Sequence, residues 1–215
     1  SPRASATAAP ANRTREVVIL HTNDEHGYLT SQESNGIRTG GAAYAAGSWL
    51  RQGLDPRDAQ GNVLLLSGGD NWTGAAISTW FRGESTIAAM NAMGYHASVI
   101  GNHEFDFGQE VLRQRIRQAQ FPYLAANLYR SGTQEIVDSA RPYRIIEVNG
   151  VNVGIIGLAL KDSSSTVNAK YLEGLTFGDY EPALRRWVAV LRQEGAQIVI
   201  LASHICPVEL LLLAP

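Results

Sequence analysis

Seven short apolar runs, separated by stretches of helical spacing, leave this chain few ways to fold. The runs are 16–21 (EVVILH), 63–66 (VLLL), 97–100 (ASVI), 122–126 (PYLAA), 143–148, 151–158 and 197–202. They are rich in Val and Ile, bounded by Gly, Asn and Asp, and lack clean alternation, which fits strands buried on both faces. Between them, 40–53, 83–93, 107–119 and 180–194 carry helical spacing. Val111, Leu112, Ile116 and Ala119, for example, share one side of a helix while Arg113, Gln114, Arg117 and Gln118 take the other. Asn149-Gly150 between two runs predicts a tight hairpin of the primed-turn type. The expected fold class is therefore α/β: a layered domain with helices on both faces, a mixed sheet containing one antiparallel hairpin, and strand-end loops free to carry chemistry.

A chain of 215 residues can bury a core without staples, and the single cysteine, Cys206, rules out a disulfide framework. The net charge of -2 leaves no basic excess, which disfavours nucleic-acid polymers and anionic membranes as partners. No apolar run approaches the ~18 residues that a membrane span needs. Residues 1–15 (SPRASATAAPANRTR) are small, polar and proline-bearing. They read as a tail or linker of the kind that follows a cleaved secretory signal, so the expected location is periplasmic, cell-surface or extracellular. At the other end, the apolar stretch 208–213 calls for a partner surface, and more protein is expected to follow it in the natural gene.

The chemistry sits at the strand ends. The first run leads into Asp24 and His26, the second into Gly68-Gly69-Asp70, the third into Gly101-Asn102-His103-Glu104-Phe105-Asp106, and the last into Ser203-His204. Taken singly, each has a plain reading as a turn-forming Asp or a surface His. Taken together, four runs that each end in Asp, Asn or His converge on one crevice at the carboxyl edge of a sheet. These are oxygen and nitrogen donors suited to borderline divalent metals, and a carboxylate such as Asp70 can bridge two ions about 3.5–4 Å apart. Such a pair polarises phosphoryl oxygens, brings the pKa of a bridging water nucleophile near neutrality, and leaves a histidine free to protonate the leaving oxygen.

In these motifs the chain resembles the metal-dependent 5'-nucleotidases of the calcineurin-like metallophosphoesterase superfamily, over nearly all of residues 16–205. The resemblance rests on Asn23-Asp24-Glu25-His26-Gly27, Gly69-Asp70, the Gly101–Asp106 block and Ser203-His204, with Ala125-Ala126-Asn127 and Val153–Gly157 in support. It implies an α-β-β-α layered domain with mixed sheets and helices on both outer faces, spanning 16–215 and incomplete at its C-terminus. It also implies a centre of two divalent ions (Mn, Zn, Fe or Ni), with Asp24 and His26 on one, Asn102 and His204 on the other, and Asp70 between them. His103, oriented by Asp106, faces the substrate phosphate together with Asn102, and Asn127 is a further candidate near the site. The implied reaction is hydrolysis of nucleotide phosphate esters, with a small-molecule nucleotide as partner. Relatives complete the metal site with a Gly-His-x-His or Gly-His-x-Gln motif and hold the base with a second, nucleotide-binding domain; this sequence contains neither.

Other residues are assigned plainer roles. His21 reads as a packed or hydrogen-bonded strand residue, His96 as solvent-facing, and Glu25 and Glu104 as makers of local hydrogen bonds. Trp72, Trp80, Phe81 and Trp187 read as core or loop packing, and Cys206 as inert. Three alternatives stay open: a phosphodiesterase acting on cyclic nucleotides or nucleotide sugars, a non-catalytic fragment that binds metal or nucleotide weakly, and a ligand-binding module without metal.

Overall fold

The computed structural model describes residues 14–211 and 213. The tail expected over 1–15 lies outside the described residues as far as residue 13. Arg15 is docked, with its guanidinium donating to the carbonyl of Asn149 at 2.6 Å.

The strands are β1 (Val18–Thr22), β2 (Gln32–Ser34), β3 (Ile37–Thr39), β4 (Val63–Ser67), β5 (Ala97–Val99), β6 (Tyr123–Leu124), β7 (Leu128–Arg130), β8 (Tyr143–Val148), β9 (Val151–Leu158), β10 (Leu175–Phe177) and β11 (Ile198–Ser203). The helices are α1 (Ala42–Arg51), α2 (Ala76–Thr79), α3 (Glu84–Met93), α4 (Gly108–Gln118), α5 (Tyr180–Gln193) and α6 (Pro207–Leu211). One sheet is wholly parallel in the order β1-β4-β5-β6; the second runs β11-β9-β8, with β11 parallel and β8 antiparallel to β9.

The strand pleat explains the layering, because successive side chains leave a strand on opposite faces. Leu64 and Leu66 of β4 meet Val153 and Ile155 of β9 in a cluster between the sheets. Leu65 turns the other way, onto Ile87 and Met90 of α3 and Leu112 of α4. On the far side Ile156 and Leu158 of β9 pack against Ala183 and Leu191 of α5. Helix, sheet, sheet, helix is the result. Two glycines of β9 allow the close approach: a Cβ on Gly154 would stand 2.9 Å from Leu191, and one on Gly157 would stand 2.7 Å from the Leu124 carbonyl carbon.

Several expectations need correction. The seven apolar runs divide between two sheets, as the resemblance implies, rather than sharing the one mixed sheet read from the runs alone, because an apolar run reports burial and not which strand lies beside it. β1 and β11 are not buried on both faces; they are outer strands of their sheets, with Ile19 at 47% and Leu201 at 36% exposure. The Asn149-Gly150 hairpin is present, with both residues at positive φ (50° and 70°). Two further antiparallel pairs, β2–β3 and β7–β10, are too short to show a period, each strand being three residues long. His96 is half-buried rather than solvent-facing: its Nδ1 accepts the Leu65 N–H at 3.1 Å, and Arg144 of β8 reaches its carbonyl. Trp72 is fully buried, but Trp80 (83% exposed) and Phe81 (53%) stand on the surface beyond α2. Among the described residues no helix is long and apolar enough to cross a membrane.

Candidate metal centre

All four loops that carry the expected ligands leave the carboxyl ends of parallel strands: Asp24 and His26 after β1, Asp70 after β4, Asn102 after β5, and His204 after β11 of the second sheet. The first two loops are zipped together by main-chain bonds, Asp24 N–H to Gly69 O (3.1 Å), His26 N–H to Asp70 O (3.1 Å) and Gly27 N–H to Asn71 O (2.8 Å). The turns are tight. Asp24, His26, Asp70 and Thr73 all adopt left-handed backbone (φ 53°, 45°, 56° and 72°), a concentration of strain that functional sites commonly carry.

Asp70 lies at the centre. Its Oδ1 accepts the His103 N–H at 2.9 Å, and its Oδ2 is 3.1 Å from His204 Nε2. The same Nε2 is 3.2 Å from Asn102 Oδ1. Ligand atoms of Asp24, Asp70 and His204 lie within 4.8 Å of one another, and so do those of His26, Asp70 and His103. Asp70 is thus common to two groups of potential ligands. The second group includes His103, whose Nδ1 is 2.7 Å from Asp106 Oδ2.

The electrostatics follow from this packing. Burial opposes the charge on Asp70, but hydrogen bonding and charge from His204 outweigh it and lower the carboxyl pKa. Burial likewise opposes protonation of His204, yet the Asp70 carboxylate raises it to about 9. His103 is also raised: its burial is outweighed by the hydrogen bond to Asp106 and the charge of Asp70.

The donor set fits divalent metal. Nδ1 of His26 contacts the Thr73 carbonyl (2.9 Å) and Nδ1 of His204 contacts the Gly68 carbonyl (3.0 Å). Each carbonyl can only accept, so Nδ1 carries a proton and Nε2 is the nitrogen that faces the centre as a metal donor, in His204 once an ion displaces the proton that Asp70 favours there.

A family model for calcineurin-like phosphoesterases matches residues 17–210. The chain belongs to this family. It is 36% identical over 202 residues to protein UshA of Yersinia enterocolitica, covering 93% of this chain and 36% of that protein. It is 34% identical to the 5'-nucleotidase of Vibrio cholerae, covering 90% of this chain and 34% of the relative. The chain therefore spans little more than a third of the length of these curated relatives. The structure of an NAD nucleotidase from Haemophilus influenzae superposes with a TM-score of 0.76 at 30% identity, over 93% of this chain and 36% of that one.

Within the phosphoesterase fold, Glu25 and Glu104 make structural hydrogen bonds that are mostly not local but reach segments far away in sequence, Glu25 accepting from the Tyr95 hydroxyl at 2.8 Å. The fully buried Glu104 carboxylate accepts main-chain N–H groups of Asp70 (2.9 Å), Asn71 (2.8 Å) and Gly101 (2.7 Å). The buried Asn127 amide is spent on both main-chain groups of Ala159 (2.9 Å each) and reaches Gly178 O at 3.4 Å, clipping loops together. His21 is exposed on β1 rather than packed in it. Cys206 is an exposed free thiol. Two residues escaped the sequence reading, Thr73, which orients His26 through its carbonyl, and Asn71. The one trace Asn71 leaves is its polarity directly after a turn-forming Asp.

Proposed function

We propose that the domain hydrolyses phosphate esters of nucleotides at a two-metal centre. Asp24 and His26 would hold one divalent ion, Asn102 and His204 the other, and Asp70 would lie between them. The observation that carries this reading is the convergence of Asp70, Asn102 and His204, from three loops and two sheets, within 3.2 Å of a single imidazole nitrogen. When bound, such a pair of ions polarises phosphoryl oxygens and lowers the pKa of water.

The chain's own residues do the rest. Asp106 holds the Nδ1 proton of His103, fixing the ring's tautomer and orientation and favouring its cationic form. His103 then offers its other N–H to the phosphoryl group, stabilising the charge that develops there and supplying a proton to the leaving oxygen. Asn102 assists in holding the phosphate. The backbone is ready for this, because His103 is anchored by its own N–H on Asp70. Location outside the cytoplasm is proposed with the activity, on the small, polar composition of residues 1–15.

Phosphate release from AMP by the Mn-loaded chain tests the reading, with Asp70→Asn as control. Turnover that Asp70→Asn abolishes is the expected outcome. Metal uptake without turnover in either protein would favour the non-catalytic alternative. Likeness to a protein named NAD nucleotidase supports dinucleotides as a second substrate class, so NAD belongs in the same assay.

A further inference from the structure

We infer that Asn71, which is not a ligand, is a positioning residue that sets the spacing between the loops of the metal centre; the metal half of this inference rests on the two-metal reading above. Asn71 is fully buried, and its amide is oriented without ambiguity. The Ser67 hydroxyl donates to its Oδ1 at 2.6 Å, while its Nδ2 donates to Ser98 Oγ at 2.9 Å and to Glu104 Oε1 at 3.1 Å. Its main chain is equally occupied: the N–H donates to Glu104 Oε1 at 2.8 Å, and the carbonyl accepts the Gly27 N–H at 2.8 Å.

One residue therefore touches the end of β4, strand β5, the turn that carries Glu104, and the loop that carries Asp24 and His26. Glu104 extends the link, because its second oxygen accepts the N–H groups of both Asp70 and Gly101, the residue before Asn102. The amide suits this place better than its neighbours in shape. A carboxylate would face Glu104 across the same 3.1 Å as a like charge, and an apolar side chain would leave the buried Ser67 hydroxyl without its acceptor and Ser98 Oγ without its donor, each keeping one main-chain partner. A fully satisfied network of this kind fixes one arrangement of the loops.

The test compares Asn71→Ala with Leu112→Ala, a core truncation on α4 that serves as a control for general destabilisation. In metal-free protein, amide hydrogen exchange at Gly27, Asp70 and Gly101 should rise about tenfold further in Asn71→Ala than in the control, since their acceptors, the Asn71 carbonyl and Glu104 Oε2, remain but lose the side-chain amide that holds them in place. In Mn titrations followed by electron paramagnetic resonance, Asn71→Ala should lose about 10–100-fold in affinity, as outer partners of metal ligands do, while Leu112→Ala keeps native affinity and spectrum. Equal behaviour of the two variants in both measurements would overturn the inference. Should Asn71→Ala not fold, Ser98→Ala, which removes one acceptor of the same amide, carries the test with smaller shifts in the same direction. If native protein binds no Mn, the two-metal reading fails, and the exchange data alone decide whether Asn71 holds the loops.

Discussion

Gly101 has no room for a methyl group. A Cβ there would collide with Asp70 Oδ1 and stand 2.7 Å from Asp70 N. Gly101→Ala should therefore cost about 1–3 kcal/mol of stability through overpacking, and displace Asp70 enough to weaken Mn binding, measurable by urea denaturation and metal titration. His103→Asn makes the opposite separation. Because His103 Nδ1 is engaged by Asp106, the variant should lower turnover by about 10²–10⁴-fold, with metal content per chain unchanged; loss of metal would mean that His103 is a ligand. At this scale the residues that present donors were legible, because Asp, Asn and His at the ends of apolar runs stand out. Their supports were not. Thr73 acts through a carbonyl, and Asn71 and Glu104 act through contacts between segments far apart in sequence, neither of which leaves a pattern along the chain.

At the scale of elements, glycines control how closely layers meet. Gly157 lies where β9 crosses Leu124 of β6, so Gly157→Ala should push the sheets apart and cost about 3 kcal/mol, seen as a fall in denaturation midpoint without loss of secondary structure. The central strands were readable because β4 and β5 are buried on both faces and their sequences show it. β1 and β11 misled for the same reason in reverse: each is apolar, yet each sits at a sheet margin with part of it exposed, Ile19 and His21 in β1 and Ile198 and Leu201 in β11. The Asn149-Gly150 turn was legible because both positions need left-handed backbone, which few residue pairs accept. The β2–β3 pair carries the same mark, Asn35-Gly36 at φ 53° and 75°, but without the long apolar runs that flank Asn149-Gly150, and β7–β10 pairs segments far apart in sequence with no tight turn between them.

For the molecule as a whole, the junction of the two sheets matters most, and His96 is one of its fasteners. It precedes β5 in the first sheet, and Arg144 of the second sheet holds its carbonyl. Burial, then the Arg144 charge, lowers the pKa of His96 below 6.5. The folded protein thus resists a proton that the unfolded chain accepts. The contribution is fully present above that ordinary value and is lost as pH falls toward the lower folded one. The urea midpoint should drop between about pH 7.5 and about pH 5.5, and drop less in His96→Asn; equal drops would remove His96 from the account. The centre itself depends on the same junction, since Asp70 and Asn102 come from one sheet and His204 from the other.

Manganese per chain, measured by elemental analysis after loading and dialysis, tests that dependence most directly. Two ions in the native chain and no more than one in Asp70→Asn is the predicted result. A native chain that retains none, or an Asp70→Asn variant that retains as many as the native, would contradict it.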